Sequence, residues 1–512
     1  MSSATLALPR LNAALLASKP AALSRLIRGP RKKRPETILQ FGEGGFLRGF
    51  VDWMIHRLHE AGLYEGGIVV VQPLPTGLIG ALNEQDGLYT QILRGLQHGH
   101  MVEEREVVAP ISRGIDPHTN FGAYLACAHN PDLRFIVSNT TEAGIACHPS
   151  DLPSDQPPRS FPAKLTRFLL ERFNTFLGAS DKGLVMLPCE LIEYNGANLR
   201  RCVLETAAKW QLSPAFVRWV EQHNVFCNTL VDRIVTGYPR DEAAALTQSL
   251  GYEDKLLNTG EVFHSWVIEG PASLAAELPL TRAGLNVVWT DDYKPYRDRK
   301  VRILNGAHTM TVLAAYLAGK DTVKDCMDDP VISRFVARGL SEEIIPTLDL
   351  PRADLETFAA AVSERFSNPH VQHPLLSISL NSTSKFVARV LPSLKTYLTR
   401  QGTLPKRLSF SLAALIAFYR GTELREGALI GHRSRKEEYR VQDSPAVLEF
   451  FRTQWSAAAA PVPPVVQAVL GNSSIWGEDL NAIPGLTRAV TTYVEAIVTK
   501  GAAAVLRQLE NE

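Results

Sequence analysis

Apolar residues in this chain come first in short unbroken runs and later in stripes three and four residues apart. Thr37-Ile38-Leu39-Gln40-Phe41-Gly42 is a short apolar run that stops at a glycine. Ile68-Val69-Val70-Val71, Arg134-Phe135-Ile136-Val137-Ser138 and Leu184-Val185-Met186-Leu187 are runs of the same kind. Such runs predict strands covered on both faces, as in a parallel sheet. Phe46, Phe50, Met54 and Leu58 recur every four residues, with Gly62 as a stop, and Leu165, Phe168, Leu169, Phe173 and Phe176 mark a second amphipathic stretch. Both patterns predict helices, and strands alternating with helices predict an α/β domain with a mostly parallel sheet.

The pattern changes after about Pro295. From Lys300 onward the stripes are helical and rich in Ala and Leu: Leu408, Leu412, Leu415, Ile416 and Tyr419 form one, closed by Gly421, and Val447, Phe450 and Phe451 mark another. Residues 36–295 therefore read as the α/β domain and 296–512 as a mainly helical domain. Pro461-Val462-Pro463-Pro464 reads as a local break and not as a domain linker.

Residues 1–35 have no acidic side chain, and basic residues punctuate an Ala/Leu/Ser background. That composition fits a poorly ordered N-terminal extension and also mimics an organellar transit peptide. Over the whole chain, 54 Lys and Arg against 53 Asp and Glu leave a net charge of +1, which gives no electrostatic reason to expect a nucleic acid or an anionic membrane as partner. No apolar stretch approaches the ~18 residues of a membrane span. Six cysteines without a CxxC pair point to neither a disulfide framework nor a zinc ribbon and fit a reducing, cytoplasmic setting; the 13 histidines show no HExxH spacing, so no metal is expected.

Two motifs carry chemistry. Gly42-Glu43-Gly44-Gly45-Phe46-Leu47-Arg48-Gly49 joins the first strand to the first helix. In that context small residues let the backbone approach a pyrophosphate at a helix N-terminus; a purely structural turn would look similar. The next strand ends Val71-Gln72-Pro73, where a dinucleotide site usually carries an acid for the ribose hydroxyls. Gln72 can accept that hydrogen bond without charge, and no Arg stands beside it for a 2′-phosphate, so NAD is favoured over NADP. The second motif is Lys300-Val301-Arg302-Ile303-Leu304-Asn305-Gly306-Ala307-His308. On an α-helix, positions 300, 305 and 308 fall within an arc of about 140°. A lysine in such company can serve as proton donor and acceptor, with Asn305 and His308 orienting it and a substrate oxygen. The alternative is a solvated Lys and a core His at a helix start.

These residues resemble the long-chain polyol-specific dehydrogenases and reductases, the mannitol dehydrogenase family, which also holds hexuronate reductases. Lys300, Asn305 and His308 match the signature Lys-x4-Asn-x2-His, and Gly42, Gly44, Phe46 and Arg48 match the turn. Gln85–Thr90, Asn139–Gly144, Val231–Ile234 and Arg365–Pro369 are similar to further family blocks. The resemblance implies a Rossmann-type domain before a helical one, metal-free hydride transfer with NAD, and Lys300 as the catalytic acid–base. It also implies that Glu142 lies near the nicotinamide, that Asp232 tunes Lys300, and that Lys385 touches substrate.

Departures bear on substrate. Leu191 stands where polyol enzymes have a substrate-binding Asn, Ser377 where they have an Arg, and Arg297 where they have an acid. A guanidinium in place of a carboxylate suits a substrate that itself bears a carboxylate, with Arg297 as the contact; a solvated Arg at the helix entry is the alternative. The spellings are most similar to the branch that reduces tagaturonate to altronate, and the resemblance implies that reaction. Fructuronate or an uncharged polyol such as mannitol are the alternative substrates, and a non-catalytic nucleotide-binding regulator is the alternative of a different class. A monomer or small homo-oligomer is expected.

Overall fold

The computed structural model describes residues 8–18, 26, 32–141, 143–433, 437–456 and 461–511. The chain divides into two units, Met1–Arg94 with Met101–Tyr293, and Gly95–His100 with Lys294–Glu512.

In the first unit six strands form one sheet: β1 (Glu36–Phe41), β2 (Gly67–Val71), β3 (Ile111–Ile115), β4 (Phe135–Ser138), β5 (Val185–Pro188) and β6 (Val225–Phe226). Their order is β3-β2-β1-β4-β5-β6, and every neighbouring pair is parallel. This is the doubly wound order of a Rossmann domain. The chain walks outward from β1 one way, then returns and walks outward the other way, so the switch falls between β1 and β4.

The apolar runs are continuous because both faces are covered. Successive side chains of β1 point to opposite faces. Ile38 meets Phe50, Met54 and Leu58 of the helical run over 45–60, and Leu39 and Phe41 meet Leu165 and Phe168 of α2 (Phe161–Thr175) and Leu199 and Val203 of α3 (Asn195–Lys209). Each such buried side chain contributes about 1.5–3 kcal/mol. The 45–60 run is not uniform: Gly45–Leu47 leads into a π-helical stretch, Arg48–Asp52, and then α1 (Trp53–Glu60).

Part of the segment expected to be poorly ordered is packed. Asn12 caps a short helix, Ala13–Ala17, and Leu11 is fully buried against Leu88, Ile92, Leu246 and Tyr252. Arg10 pairs with Glu84 at 3.0 Å. The apolar Leu11 and the Asn12 cap supply the local reasons that composition averaged away. Residues 1–7, 19–25 and 27–31 of that segment lie outside the described residues.

The second unit is mainly helical. Two of its helices, α4 (Gly306–Leu317) and α6 (Lys406–Phe418), are apolar around most of their circumference and form its centre; α5 (Ser382–Arg389) and α7 (Leu486–Lys500) pack on them. Pro461 precedes a helix over Val462–Leu470, so the proline cluster opens a helix. The helical reading of this half needs one addition. An antiparallel sheet, β7 (Gly421–Arg425), β8 (Ala428–Arg433) and β9 (Glu437–Val441), follows α6. Tyr439 lies over Gly431, where a Cβ would come within 2.4 Å of the ring, and its hydroxyl donates to the Phe418 carbonyl at 2.8 Å.

No described helix is long and apolar enough to cross a membrane. All six cysteines are free thiols.

Candidate active site

In the first unit the predicted phosphate turn leaves the carboxyl end of β1, at the switch point. Gly42 has φ +122°, and a Cβ there would stand 3.0 Å from the Asn139 carbonyl oxygen at the end of β4. Glycine is therefore required at that position for both conformation and space. Gly44 is different: its φ is −67°, it caps the helical run, and a Cβ would meet nothing within 4 Å. This is open room beside a helix N-terminus, which fits a pyrophosphate. Gly45 and Gly49 serve packing, since a Cβ at either would press on the Asn258 side-chain amide at 2.9 Å. Asn258 in turn donates to the Gly45 carbonyl at 3.0 Å. The role of Gly49 was not singled out in the sequence, although a third glycine one helical turn on is its signal.

Two residues assigned to the cofactor from sequence have other partners. The buried guanidinium of Arg48 donates to the Glu43 carbonyl at 3.1 Å and to the Leu256 carbonyl, and lies over the Tyr89 ring at 5.1 Å. These bonds brace the turn, so Arg48 acts as a strut within it. Phe46 stacks on Phe50 at 5.0 Å and packs on the core. Gln72 is buried at the end of β2, its side-chain amide donating to the Leu74 carbonyl at 2.9 Å. Beside the turn, burial pushes the Glu43 carboxyl up. Glu142 lies outside the described residues; the loop before it is pinned by the buried Glu190, which accepts from Ser138, Thr140 N–H and the Thr140 hydroxyl at 3.0 Å each.

Asp232 is buried at the end of a strand, Asn228–Asp232, in the first unit. Its neighbour Arg233 is a second buried strut. It donates to the Gly49 carbonyl at 2.7 Å and the Glu261 carbonyl at 3.0 Å and lies 4.1 Å over Trp53; burial lowers its pKa to about 9. In the 85–90 block, Asp254 accepts from Gln85 at 2.8 Å and Thr90 N–H at 2.6 Å. Much of what the family spellings share is this scaffolding.

In the second unit Lys300 and Asn305 bound a π-helical stretch, Lys300–Asn305, between Lys294–Arg299 and α4. The α-helical arc of about 140° expected for these positions does not hold here. A turn closed by i→i+5 bonds brings residues five apart nearly into line, so the π stretch draws Lys300 and Asn305 closer than an α-helix would. Gly306 explains the locally unfavourable glycine: a Cβ would stand 3.2 Å from the Arg389 carbonyl at the end of α5.

His308 stacks at 4.1 Å on Phe366 and 5.3 Å from His373. Desolvation, then the neighbouring His373, Arg365, Arg389 and Lys385, holds its imidazole well below the usual histidine range. It is therefore neutral at pH 7, with one N–H to donate and one nitrogen to accept. Lys385 donates to the Ile378 carbonyl at 2.8 Å; burial and Arg389 lower its pKa, against a raising effect of Asp443. Arg297 pairs with Asp298 at 3.4 Å. Ser377 is exposed and donates to the Pro374 carbonyl at 2.7 Å, and Leu191 is 61% exposed. Sequence reasoning noted Arg365 only as part of a family block and missed His373 and Arg389; no local spacing connects the three to His308.

Two family descriptions match consecutive parts of the chain: the Mannitol dehydrogenase Rossmann domain over 36–282, and the Mannitol dehydrogenase C-terminal domain over 292–498. The chain belongs to the mannitol dehydrogenase family. Within it, the chain is 50% identical to an altronate oxidoreductase of Pectobacterium carotovorum subsp. carotovorum (strain PC1), over 93% of this chain and 97% of that protein. It is 51% identical to an altronate oxidoreductase of Klebsiella pneumoniae (strain 342), over 92% and 96%. Among solved structures it is similar to D-sorbitol dehydrogenase in substrate-free form, with a TM-score of 0.79 at 21% identity over 97% of this chain and all of that one. The Pseudomonas fluorescens mannitol 2-dehydrogenase, a ternary complex with NAD and D-mannitol, gives a TM-score of 0.69 at 22% identity over 98% and 100%. At those identities the structural likeness shows the mannitol dehydrogenase fold alone.

One grouping of metal-ligating side chains occurs among the described residues, His56, Glu60 and Glu106. Arg57 stands 3.3 Å from both carboxylates, and His56 3.7 Å. With a guanidinium already among the acids, the cluster reads as an ion-pair network.

Proposed function

We propose that this protein is an NAD-dependent oxidoreductase that interconverts tagaturonate and altronate. The observation that carries the reading is the 50% identity to an altronate oxidoreductase, spread over 97% of that protein's length and hence over both family domains. The open side of Gly44, the tight turn at Gly42 and the order of the sheet suit a dinucleotide. In this reading Gly42, Gly44 and Gly45 shape the phosphate turn, and Gln72 accepts from a ribose hydroxyl. When bound, the nicotinamide supplies the hydride that converts the ketone to the alcohol.

The chain's own groups handle the oxygen. Lys300 gives its ammonium proton to the oxygen as the carbon accepts hydride, and takes the hydroxyl proton in the reverse direction. Asn305 and the neutral His308 hydrogen-bond the same oxygen and hold it in line. We place the enzyme in the cytoplasm, as a monomer or small homo-oligomer.

The test is NADH consumption, followed by absorbance, with tagaturonate, fructuronate and fructose. Tagaturonate is expected to exceed fructose in kcat/KM by on the order of tenfold or more, since a site built for a charged group rejects an analogue lacking it, and to exceed fructuronate, which carries the same carboxylate and differs in configuration. Preference for fructuronate or fructose, or no turnover with any of the three, overturns the reading.

Gly44→Val offers a separate check on the cofactor turn. Its φ is ordinary and its Cβ direction is open, so the variant is expected to fold with an unchanged melting temperature. The branched side chain fills the room for the pyrophosphate, and NADH affinity is expected to drop by on the order of tenfold or more. Unchanged affinity in the folded variant would place the phosphates elsewhere.

A further inference from the structure

Arg389 ends α5, and its backbone and side chain flank the Asn305–Thr309 turn. Its carbonyl oxygen stands 3.2 Å from where a Cβ of Gly306 would be, and its guanidinium donates to the Thr309 hydroxyl at 3.4 Å. The side chain thus runs beside the residues that follow Asn305 and His308, and its charge is felt at the His308 imidazole.

Three neighbouring cations have acids facing them. Arg297 has Asp298. Arg302 has Asp298 and Asp349. Lys385 has Asp443, whose carboxylate is held by Thr383 at 2.9 Å and Tyr419 at 2.6 Å. Arg389 is half-buried and burial lowers its pKa; among the described residues no carboxylate offsets that burial, and its guanidinium donates to the Thr309 hydroxyl. A guanidinium withdrawn from water without a counter-charge is costly, and its five donors in a fork match a carboxylate bidentately. Its place at the end of an eight-residue helix accounts for a cation there through the helix dipole. The dipole does not account for the turn of the guanidinium onto Thr309, beside the reacting-oxygen residues.

We propose that Arg389 is the residue that binds the carboxylate of the substrate, in place of the Arg297 expected from sequence. The inference rests on the keto-hexuronate reading above. It assigns to one side chain the selection of an anionic keto-acid, and of its aldonate product, over the uncharged sugar and polyol.

The experiment uses the full-length enzyme with Arg389→Gln and Arg389→Lys. The KM for tagaturonate is measured by NADH consumption, together with the competitive inhibition constants of altronate and of altritol, its uncharged counterpart. NADH affinity and the melting temperature report on folding. Arg389→Gln is expected to raise the tagaturonate KM and the altronate inhibition constant about 10- to 100-fold, the range of a charge-assisted hydrogen bond. The altritol constant is expected to move by less than about threefold, and Arg389→Lys, which keeps charge and loses the fork, to fall between. If Arg389→Gln does not fold, Arg389→Lys decides, through a larger loss for altronate than for altritol. Equal losses for altronate and altritol, or none, overturn the proposal and leave a helix-end role. Wild-type enzyme that does not reduce tagaturonate overturns the functional reading itself; wild-type enzyme that does, with Arg389 variants unchanged, overturns only the role of Arg389.

Discussion

Lys300→Ala is expected to lower kcat about 10²–10⁴-fold, the usual scale of a lost general acid–base, while NADH binds with near-normal affinity. The separation follows from where the chain puts the groups. The residues of the dinucleotide turn, Gly42 to Gly49, belong to the first unit, and Lys300 belongs to the second. Lysine 300 stands at the entry of a π-helical stretch whose other end is Asn305. Removing the amine leaves that backbone with its Gly306 contact to Arg389 intact, so the variant is expected to keep its melting temperature. The neutral His308 remains to hydrogen-bond the oxygen but brings no ammonium proton, so it cannot replace the lysine. Steady-state kinetics and a fluorescence titration of NADH separate the two effects. Near-normal turnover in Lys300→Ala removes the lysine from the mechanism, and loss of NADH binding with turnover assigns it to the cofactor instead.

The parallel sheet was legible because burial on both faces writes an unbroken apolar run. Leu39, Val69 and Ile136 lie on neighbouring strands in direct register, and each sits in a run of the same kind. The glycine turn was legible for a related reason, since Gly42 has no substitute at its φ and spacing. The β7–β9 sheet left no such trace. Its outer strands carry Glu423, Arg425, Glu437 and Glu438 on exposed positions, and its buried central strand offers only the short apolar run Ala428–Gly431, which does not alternate and does not by itself tell a strand from a helix. The π stretches at Arg48–Asp52 and Lys300–Asn305 keep helical spacing in sequence and reveal themselves only in backbone geometry. In the proposed site, Lys300, Asn305 and His308 stood out by neighbouring in sequence. Arg389 lies 80 residues from its partner Thr309 and joins the site by packing. Arg48 sits inside the motif and is drawn inward to the Glu43 and Leu256 carbonyls, a pairing across 208 residues in the second case that local spacing does not show.

Arg407→Met is expected to destabilise the second unit by about 3–5 kcal/mol, the cost of leaving buried acids without their cation. Arg407 begins α6 and is almost fully buried. Its guanidinium bonds Glu510 at 2.8 Å, Glu342 at 2.8 Å and Glu343 at 3.2 Å. Glu510 lies on α8 (Ala502–Asn511), so one side chain ties the start of α6 to the last helix of the chain. Glu343 also accepts the Arg407 and Leu408 backbone N–H groups at 2.9 Å, capping α6. Burial alone already pushes the Glu343 carboxyl up. Without the guanidinium Glu343 is left as a charge with little water and must take up a proton or draw in solvent, while Glu510 keeps Arg338 at 3.4 Å. The loss should therefore be larger at pH 8 than at pH 6, because protonation relieves the stranded Glu343 carboxyl as the pH falls. A triple variant, Arg407→Met with Glu343→Gln and Glu510→Gln, is expected to recover much of the stability, since it removes the uncompensated charges along with the cation. Thermal or urea unfolding read by circular dichroism decides. A change below about 1 kcal/mol for Arg407→Met, the ordinary value of an exposed pair, would show that water reaches this network and that it does not hold the second unit together.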